Sequence, residues 1–216
     1  MERESKCYVR KSWWLYLINC IIYTTISFCF ILGMSGIFGQ NAYAKATSAS
    51  SSKKVKIDKG DEWRYFKGKQ EPPDGWYHIG FDDSDWQKGR SGFGYGKGNG
   101  NGKGSESGSN ITNLEDMKGS YSSFYVRRDF IVDDVHAVTN MTISIDCDGP
   151  FIVYLDGIEI IRNESGLKDE LLDVSGFIHE LFSGENILAI ECSNDDINSD
   201  EFSFTPYFEL TERQDK

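Results

Sequence analysis

The stretch Met141–Arg162, MTISIDCDGPFIVYLDGIEIIR, decides the fold. Met141, Ile143, Ile145 and Cys147 alternate with Thr142, Ser144, Asp146 and Asp148, the period of two of a strand with one face in a core. Phe151–Leu155 and Ile158–Ile161 then flank Asp156-Gly157. An Asp-Gly pair between two β-branched or aromatic runs specifies a type I′ hairpin, because both central residues must take positive φ. These features predict a β-sandwich or barrel, and nothing in them points to catalysis.

Working outward, the same alternation recurs. Tyr121–Val132 places Phe124, Val126, Arg128 and Phe130 on one face and Tyr125, Arg127, Asp129 and Ile131 on the other. Leu188, Ile190 and Cys192 alternate with Ala189 and Glu191. Phe202, Phe204 and Phe208 mark a last strand within Phe202–Leu210. A first strand is expected around Trp63, Tyr65 and Phe66, followed by the turn-rich Glu71-Pro72-Pro73-Asp74-Gly75. With 14 Phe, 11 Tyr, 22 Gly and only 4 Pro, the composition suits many short strands joined by glycine turns. At 216 residues, the chain has room for one domain of about 150 residues and a leader.

The leader reading rests on residues 1–44. Residues 1–11 carry a net positive charge, and Ser12–Gly39 is an uncharged run of 28 residues, longer than the roughly 20 a membrane helix needs. The basic flank places the N-terminus in the cytoplasm. Ala42-Tyr43-Ala44 supplies a cleavage site, so 1–44 is expected to be a signal peptide cut after Ala44 or else a retained signal anchor. Residues 45–56, mostly Ala, Ser, Thr and Lys, read as a flexible linker. The sandwich is expected over 57–212, with 213–216 as a tail. Within it, residues 97–110 read as a mobile glycine-rich insertion, because Gly96-Lys97 and Gly102-Lys103 lack the following Ser or Thr of a phosphate loop.

The formal charge is −11. Residues 1–44 hold four basic and two acidic side chains, leaving 19 of the 23 basic and 32 of the 34 acidic ones, a net −13 for the rest. Such a surface disfavours nucleic acid or anionic lipid and is compatible with glycans, cations or a basic protein. Membrane contact is then expected only through the N-terminal helix.

A W-R-Y segment at Trp63, the F-D-D-S-x-W piece Phe81–Trp86, Gly94-Tyr95-Gly96, the Y-x-R-R-x-F piece at Tyr125, and Gly184-Glu185-Asn186 fall in one order. Together they resemble the galactose-binding-like jelly-roll modules of bacterial cell-surface proteins and the sugar-binding sandwich domains of β-galactosidases. Asp156-Gly157 stands where such modules commonly have Asn-Gly, and Leu171–Phe182 resembles their short helical turn. The resemblance implies an all-β jelly roll whose role is non-catalytic carbohydrate binding. Its partner would be a glycan or polysaccharide, and the alternative is a membrane-anchored structural or protein-interaction module bound to another envelope protein.

Catalytic patterns are missing: His78, His136 and His179 are scattered, and there is no H-E-x-x-H and no G-x-S-x-G. No cofactor is expected. Many galactose-binding-like modules carry structural calcium, but Asp82-Asp83-Asp85, Asp146 with Asp148, and Asp195-Asp196 with Asp200-Glu201 lack a regular calcium-loop spacing. Sugar recognition needs flat aromatic faces edged by polar groups. The candidates are Trp76, Tyr77 and Tyr95 with Asp82, Asp83, Arg127 and Asp148, while Trp86 reads as a core anchor. Cys147 and Cys192 fall on inward faces; buried free thiols are expected over a bridge, since inward cysteines on different strands need not be neighbours.

Overall fold

A computed structural model describes residues 7–9, 51–96, 112–168 and 170–214. The predicted membrane-spanning run and the glycine-rich insertion over 97–110 lie outside them. Among the described residues no helix is long and apolar enough to cross a membrane.

Among the described residues twelve strands form in chain order: β1 Cys7–Val9, β2 Ser51–Ile57, β3 Glu62–Lys67, β4 Gln87–Arg90, β5 Phe93–Tyr95, β6 Ser123–Val132, β7 Val138–Cys147, β8 Phe151–Leu155, β9 Ile158–Asn163, β10 Leu172–Asp173, β11 Gly184–Ser193 and β12 Phe202–Gln214. The fold is all-β. Seven strands make one sheet in the order β1-β9-β8-β11-β6-β3-β4. The other runs β10-β7-β12-β2, with β5 also pairing β12. Every strand pairing within the sheets is antiparallel.

Alternation builds the space between the sheets. Met141, Ile143, Ile145 and Cys147 of β7 and Phe202, Phe204, Phe208 and Leu210 of β12 are fully buried on one side. Phe124 and Val126 of β6, Val153 of β8 and Leu188 of β11 meet them from the other. Phe124–Phe204 and Phe130–Phe208 ring contacts at 6.2 and 5.1 Å cross the gap. Burying each such ring contributes about 1.5–3 kcal/mol relative to leaving it in water.

The deciding stretch spans both sheets. β7 lies in the smaller sheet and the β8–β9 hairpin in the larger, joined through Gly149-Pro150. A Cβ at Gly149 would sit 2.1 Å from the Ser193 carbonyl oxygen, so the crossover needs glycine. The hairpin turn has the expected geometry, with φ of 51° at Asp156 and 95° at Gly157. Downstream, Asp173 accepts from the Ser175 N–H at 2.9 Å and starts the short 3-10 turn Ser175–Glu180. Buried Asn186 closes the loop before β11 by accepting from the Phe182 N–H and donating to the Phe182 and Gly184 carbonyls.

Three expectations are corrected. Cys147 and Cys192 are joined in a disulfide that ties β7 to β11 across the sheets, because the end of each strand faces the other. Such a bridge typically stabilises by about 2–4 kcal/mol. The flexible-linker reading fails for Ser51–Lys56, which form β2 with Ile57 and pair in register with β12 from Glu209 to Gln214. β12 likewise runs on through Arg213 and Gln214, part of the expected tail. Backbone pairing, assisted by Lys54 and Lys56 on Glu209 at 2.6 and 3.0 Å, holds a strand whose side chains are mostly outside the core. Separately, Cys7–Val9, within the leader's basic flank, form β1 and pair antiparallel with Ile161–Asn163.

Candidate functional site

The outer face of the seven-stranded sheet carries a second apolar layer. The connection between β3 and β4, residues 68–86, folds back over Phe66, Tyr125, Ala189 and Tyr154 and lays Trp76, Tyr77, Phe81 and Trp86 on them. Its turns are local. The Trp76 and His78 N–H groups donate to the Pro73 and Gly75 carbonyls at 3.2 and 2.9 Å, and Asp82 accepts from the Ser84 N–H at 3.0 Å. Trp76 stands edge-on to Tyr125 and Tyr154 at 5.1 and 5.7 Å and stacks with Trp86 at 6.1 Å. Tyr77 stacks on Tyr154 at 4.5 Å.

Arg127 pins this layer. It projects from β6, only 3% exposed, with Nε donating to Asp83 at 2.8 Å and Nη1 to the carbonyls of Trp76 and His78. Its guanidinium lies over the Phe81 ring at 5.1 Å. Burying a charge is costly unless it is paired and hydrogen-bonded, and Arg127 satisfies both demands.

The structure thus gathers Trp76, Tyr77, Asp83 and Arg127, with Asp82 in an adjoining exposed turn, yet as parts of a packed layer. Trp76 has no open ring face, and Arg127 and Asp83 are spent on each other. Tyr95 is 3% exposed in the inner core, its hydroxyl donating to the Ser199 carbonyl and accepting from Asn194. Asp148 accepts from the Ser203 N–H at 2.6 Å and pairs with Lys168 at 2.8 Å. Tyr95 and Asp148 therefore sit apart from the outer layer and hold loops together. Trp86 is a core residue as expected, but of the outer layer.

Beyond the rim of that layer lies a polar strip that the sequence reading passed over. Strand register aligns Phe66, Tyr125, Glu191, Ile152 and Arg162 across β3, β6, β11, β8 and β9. Ser123 and Ser193, hydroxyls 3.4 Å apart, are the next outward pair on β6 and β11. Glu71 reaches in from the covering connection to accept from the Tyr125 hydroxyl at 3.4 Å. Arg162 is occupied by a two-point pair with Glu159, at 3.0 and 2.6 Å. Glu191 accepts no hydrogen bond from a described residue. Burial, then the Glu71 charge, push its carboxyl above the ordinary value, against the pull of Arg162. Burial and the Glu191 charge push the Tyr125 hydroxyl up to about 12. The strip can accept and donate hydrogen bonds, with one half-buried carboxylate at its centre. Its sequence signal was the outward position of Glu191 between inward Ile190 and Cys192; finding its neighbours required the strand pairing.

Among the described residues, no three His, Cys, Asp or Glu side chains are grouped to hold a metal ion.

No known family profile and no curated protein matches the chain. Solved structures do. β-Glucuronidase 2 of Bacteroides uniformis, covalently bound to cyclophellitol-6-carboxylate aziridine, is similar over 73% of this chain with a TM-score of 0.51 and 16% identity. A Bacteroides uniformis β-glucuronidase gives 73%, 0.51 and 15%. The likeness is one of fold. The chain spans only 18% of the length of either enzyme, so the shared part is a β-sandwich within a much longer protein.

Proposed function

We propose that this chain is an exported, non-catalytic carbohydrate-binding module of the galactose-binding-like jelly-roll type, taking a glycan or polysaccharide at the cell surface or in the periplasm. The observation that carries this reading is the strip of Ser123, Tyr125, Glu191 and Ser193 with Glu71, a row of hydroxyls around a carboxylate free to accept from sugar hydroxyls. The sandwich it shares with part of two β-glucuronidases supports a carbohydrate-related role. Cysteine or histidine chemistry is disfavoured, because Cys147 and Cys192 are bridged and His78, His136 and His179 are exposed and far apart in the sequence.

The test is titration of the chain against a panel of polysaccharides, with and without calcium. A shortened version must begin at Lys45 rather than Ile57, since a start at Ile57 would delete β2. Glu191→Gln should weaken glycan binding about tenfold or more, the loss of a charge-assisted hydrogen bond of about 1.5–3 kcal/mol. It should not lower thermal stability, because burial disfavours the ionised form that the amide replaces. Failure to bind any glycan would sink the reading.

One observation favours the second reading, a membrane-anchored structural or protein-interaction module of the envelope: the larger sheet accepts an added strand at β9.

A further inference from the structure

We propose that the outer edge of β9 is a strand-acceptor site for an extended basic segment of a partner protein, a site that Cys7–Val9 fills in cis while the leader stays with the sandwich. This rests on the export reading and not on glycan binding. β1 is three residues long, lies 41 residues, 10–50, before β2, and among the described residues pairs only with β9. Its backbone register nonetheless matches Cys7 to Asn163, Tyr8 to Arg162 and Val9 to Ile161. An edge strand offers a row of unpaired N–H and C=O groups, which proteins blunt with proline, bulges or covering segments. β9 contains no proline, and its register irregularity falls before Ile161, leaving Ile161, Arg162 and Asn163 in regular pairing.

Export removes the cover. If the leader spans the membrane with its basic end in the cytoplasm, or is cut after Ala44, Cys7–Val9 cannot remain on an exported β9. The bare edge is then open to β-strand addition, in which main-chain hydrogen bonds supply affinity and side chains supply selectivity. Charge selects a basic occupant. The chain beyond residue 44 carries a net −13 from 19 basic and 32 acidic side chains, and Glu164 next to the pairing stretch is exposed. The segment seated on the edge comes from the basic sequence Lys6-Cys7-Tyr8-Val9-Arg10-Lys11. Asn163 adds a second requirement: it is 1% exposed, and its Nδ2 has no partner among the described residues. An occupant with an acceptor opposite Asn163 would satisfy that buried donor.

The test uses the full chain in detergent, its Tyr8→Pro variant, and a fluorescent peptide of residues 4–12. Proline in β1 removes a donor and frees the edge. The peptide should bind the Tyr8→Pro chain at least tenfold tighter than the unmodified chain, whose edge is filled in cis. A peptide with the same proline should bind neither. Amide exchange at Arg162 and Asn163 should quicken in the Tyr8→Pro chain and slow again on adding the unmodified peptide. Equal binding to both chains, equal binding by the proline peptide, or exchange unaffected by either change would overturn the proposal. Glycan binding should be the same in both chains, so its presence or absence judges the carbohydrate reading separately.

Discussion

Phe93, Phe124, Phe204 and Phe208 meet between the two sheets, whereas Phe66, Trp76, Trp86 and Tyr125 meet on the far side of the larger one, under a connection with no strand of its own. Both layers are aromatic and both exclude water. They differ in what fixes them. The inner layer is enforced by two facing sheets and a disulfide, so most of its residues are set by strand periodicity, with Leu114, Met117, Tyr121 and Phe177 added from the connections. The outer layer is fixed by two cations: Arg127 draws the carbonyls of Trp76 and His78 and the Asp83 carboxylate down onto β6, and Arg64 of β3 donates to the Ser84 and Trp86 carbonyls and pairs with Asp83. Breaking the first should therefore cost the fold, and breaking the second should cost only the cover.

The largest effect is expected from Ile145→Asp. Ile145 is fully buried on β7, where a carboxylate would have no partner. The cost of several kcal/mol stands against a total stability of about 5–15 kcal/mol, and the chain should show no cooperative thermal transition. A folded variant with near-normal stability would mean that the inner layer tolerates a charge, removing the contrast.

Arg127→Met should come next. It preserves length and apolar packing but leaves the Trp76 carbonyl without its donor and Asp83 with only Arg64 at 3.7 Å, at about 3–5 kcal/mol for a broken buried pair. The sandwich should persist by far-ultraviolet circular dichroism while the fluorescence of Trp76 and Trp86 moves toward that of water-exposed indole. Simultaneous loss of both signals would show that the two layers melt as one unit.

The same contrast explains what could be read from the residues alone. β7 and β12 were legible because each alternates a buried and a less buried face over at least seven residues, the direct imprint of a sheet on a core, whereas β6 and β11 are buried on both faces midway and alternate only toward their C-terminal ends. The Asp156-Gly157 turn was legible because few residue pairs reach positive φ twice. β2 was not, because an edge strand of Ser and Lys is held by its neighbour's backbone and leaves little hydrophobic trace. The bridge between Cys147 and Cys192 depended on which strands face each other across the sandwich, information carried by topology. Trp76 was misplaced for a related reason. A tryptophan in a turn-rich connection looks available for a ligand, and only the reach of Arg127 from a distant strand shows that it is buried. Glu191 was overlooked because a lone outward glutamate has no local signature; its position among Tyr125, Tyr154 and Glu71 arises from three other parts of the chain.

The smallest effect, and the one with opposite sign, lies at the hairpin tip where β8 and β9 meet the outer layer. Asp156 accepts from the Ile187 N–H at 2.7 Å through Oδ1, while its buried Oδ2 has no partner, and Gly157 packs so closely on His78 that a Cβ there would lie 2.1 Å from Nδ1. Burial pushes the Asp156 carboxyl up from 3.8 to about 6. Between those two values the folded chain keeps a proton that the unfolded chain releases, so this group makes stability fall as pH rises from about 4 to about 6 and adds no further change above that. Asn at this position keeps the acceptor for Ile187, tolerates positive φ and carries no charge. Asp156→Asn should therefore raise stability at pH 7 by about 1–2 kcal/mol, part of the charge penalty being offset by an amide group that finds no acceptor. The difference between the two chains should vanish as pH is lowered below about 4, where Asp156 is protonated in both folded and unfolded states. Denaturant titrations at pH 4 and pH 7 measure both numbers. An equal difference at the two pH values would mean that turn propensity, rather than the buried carboxylate, accounts for the gain.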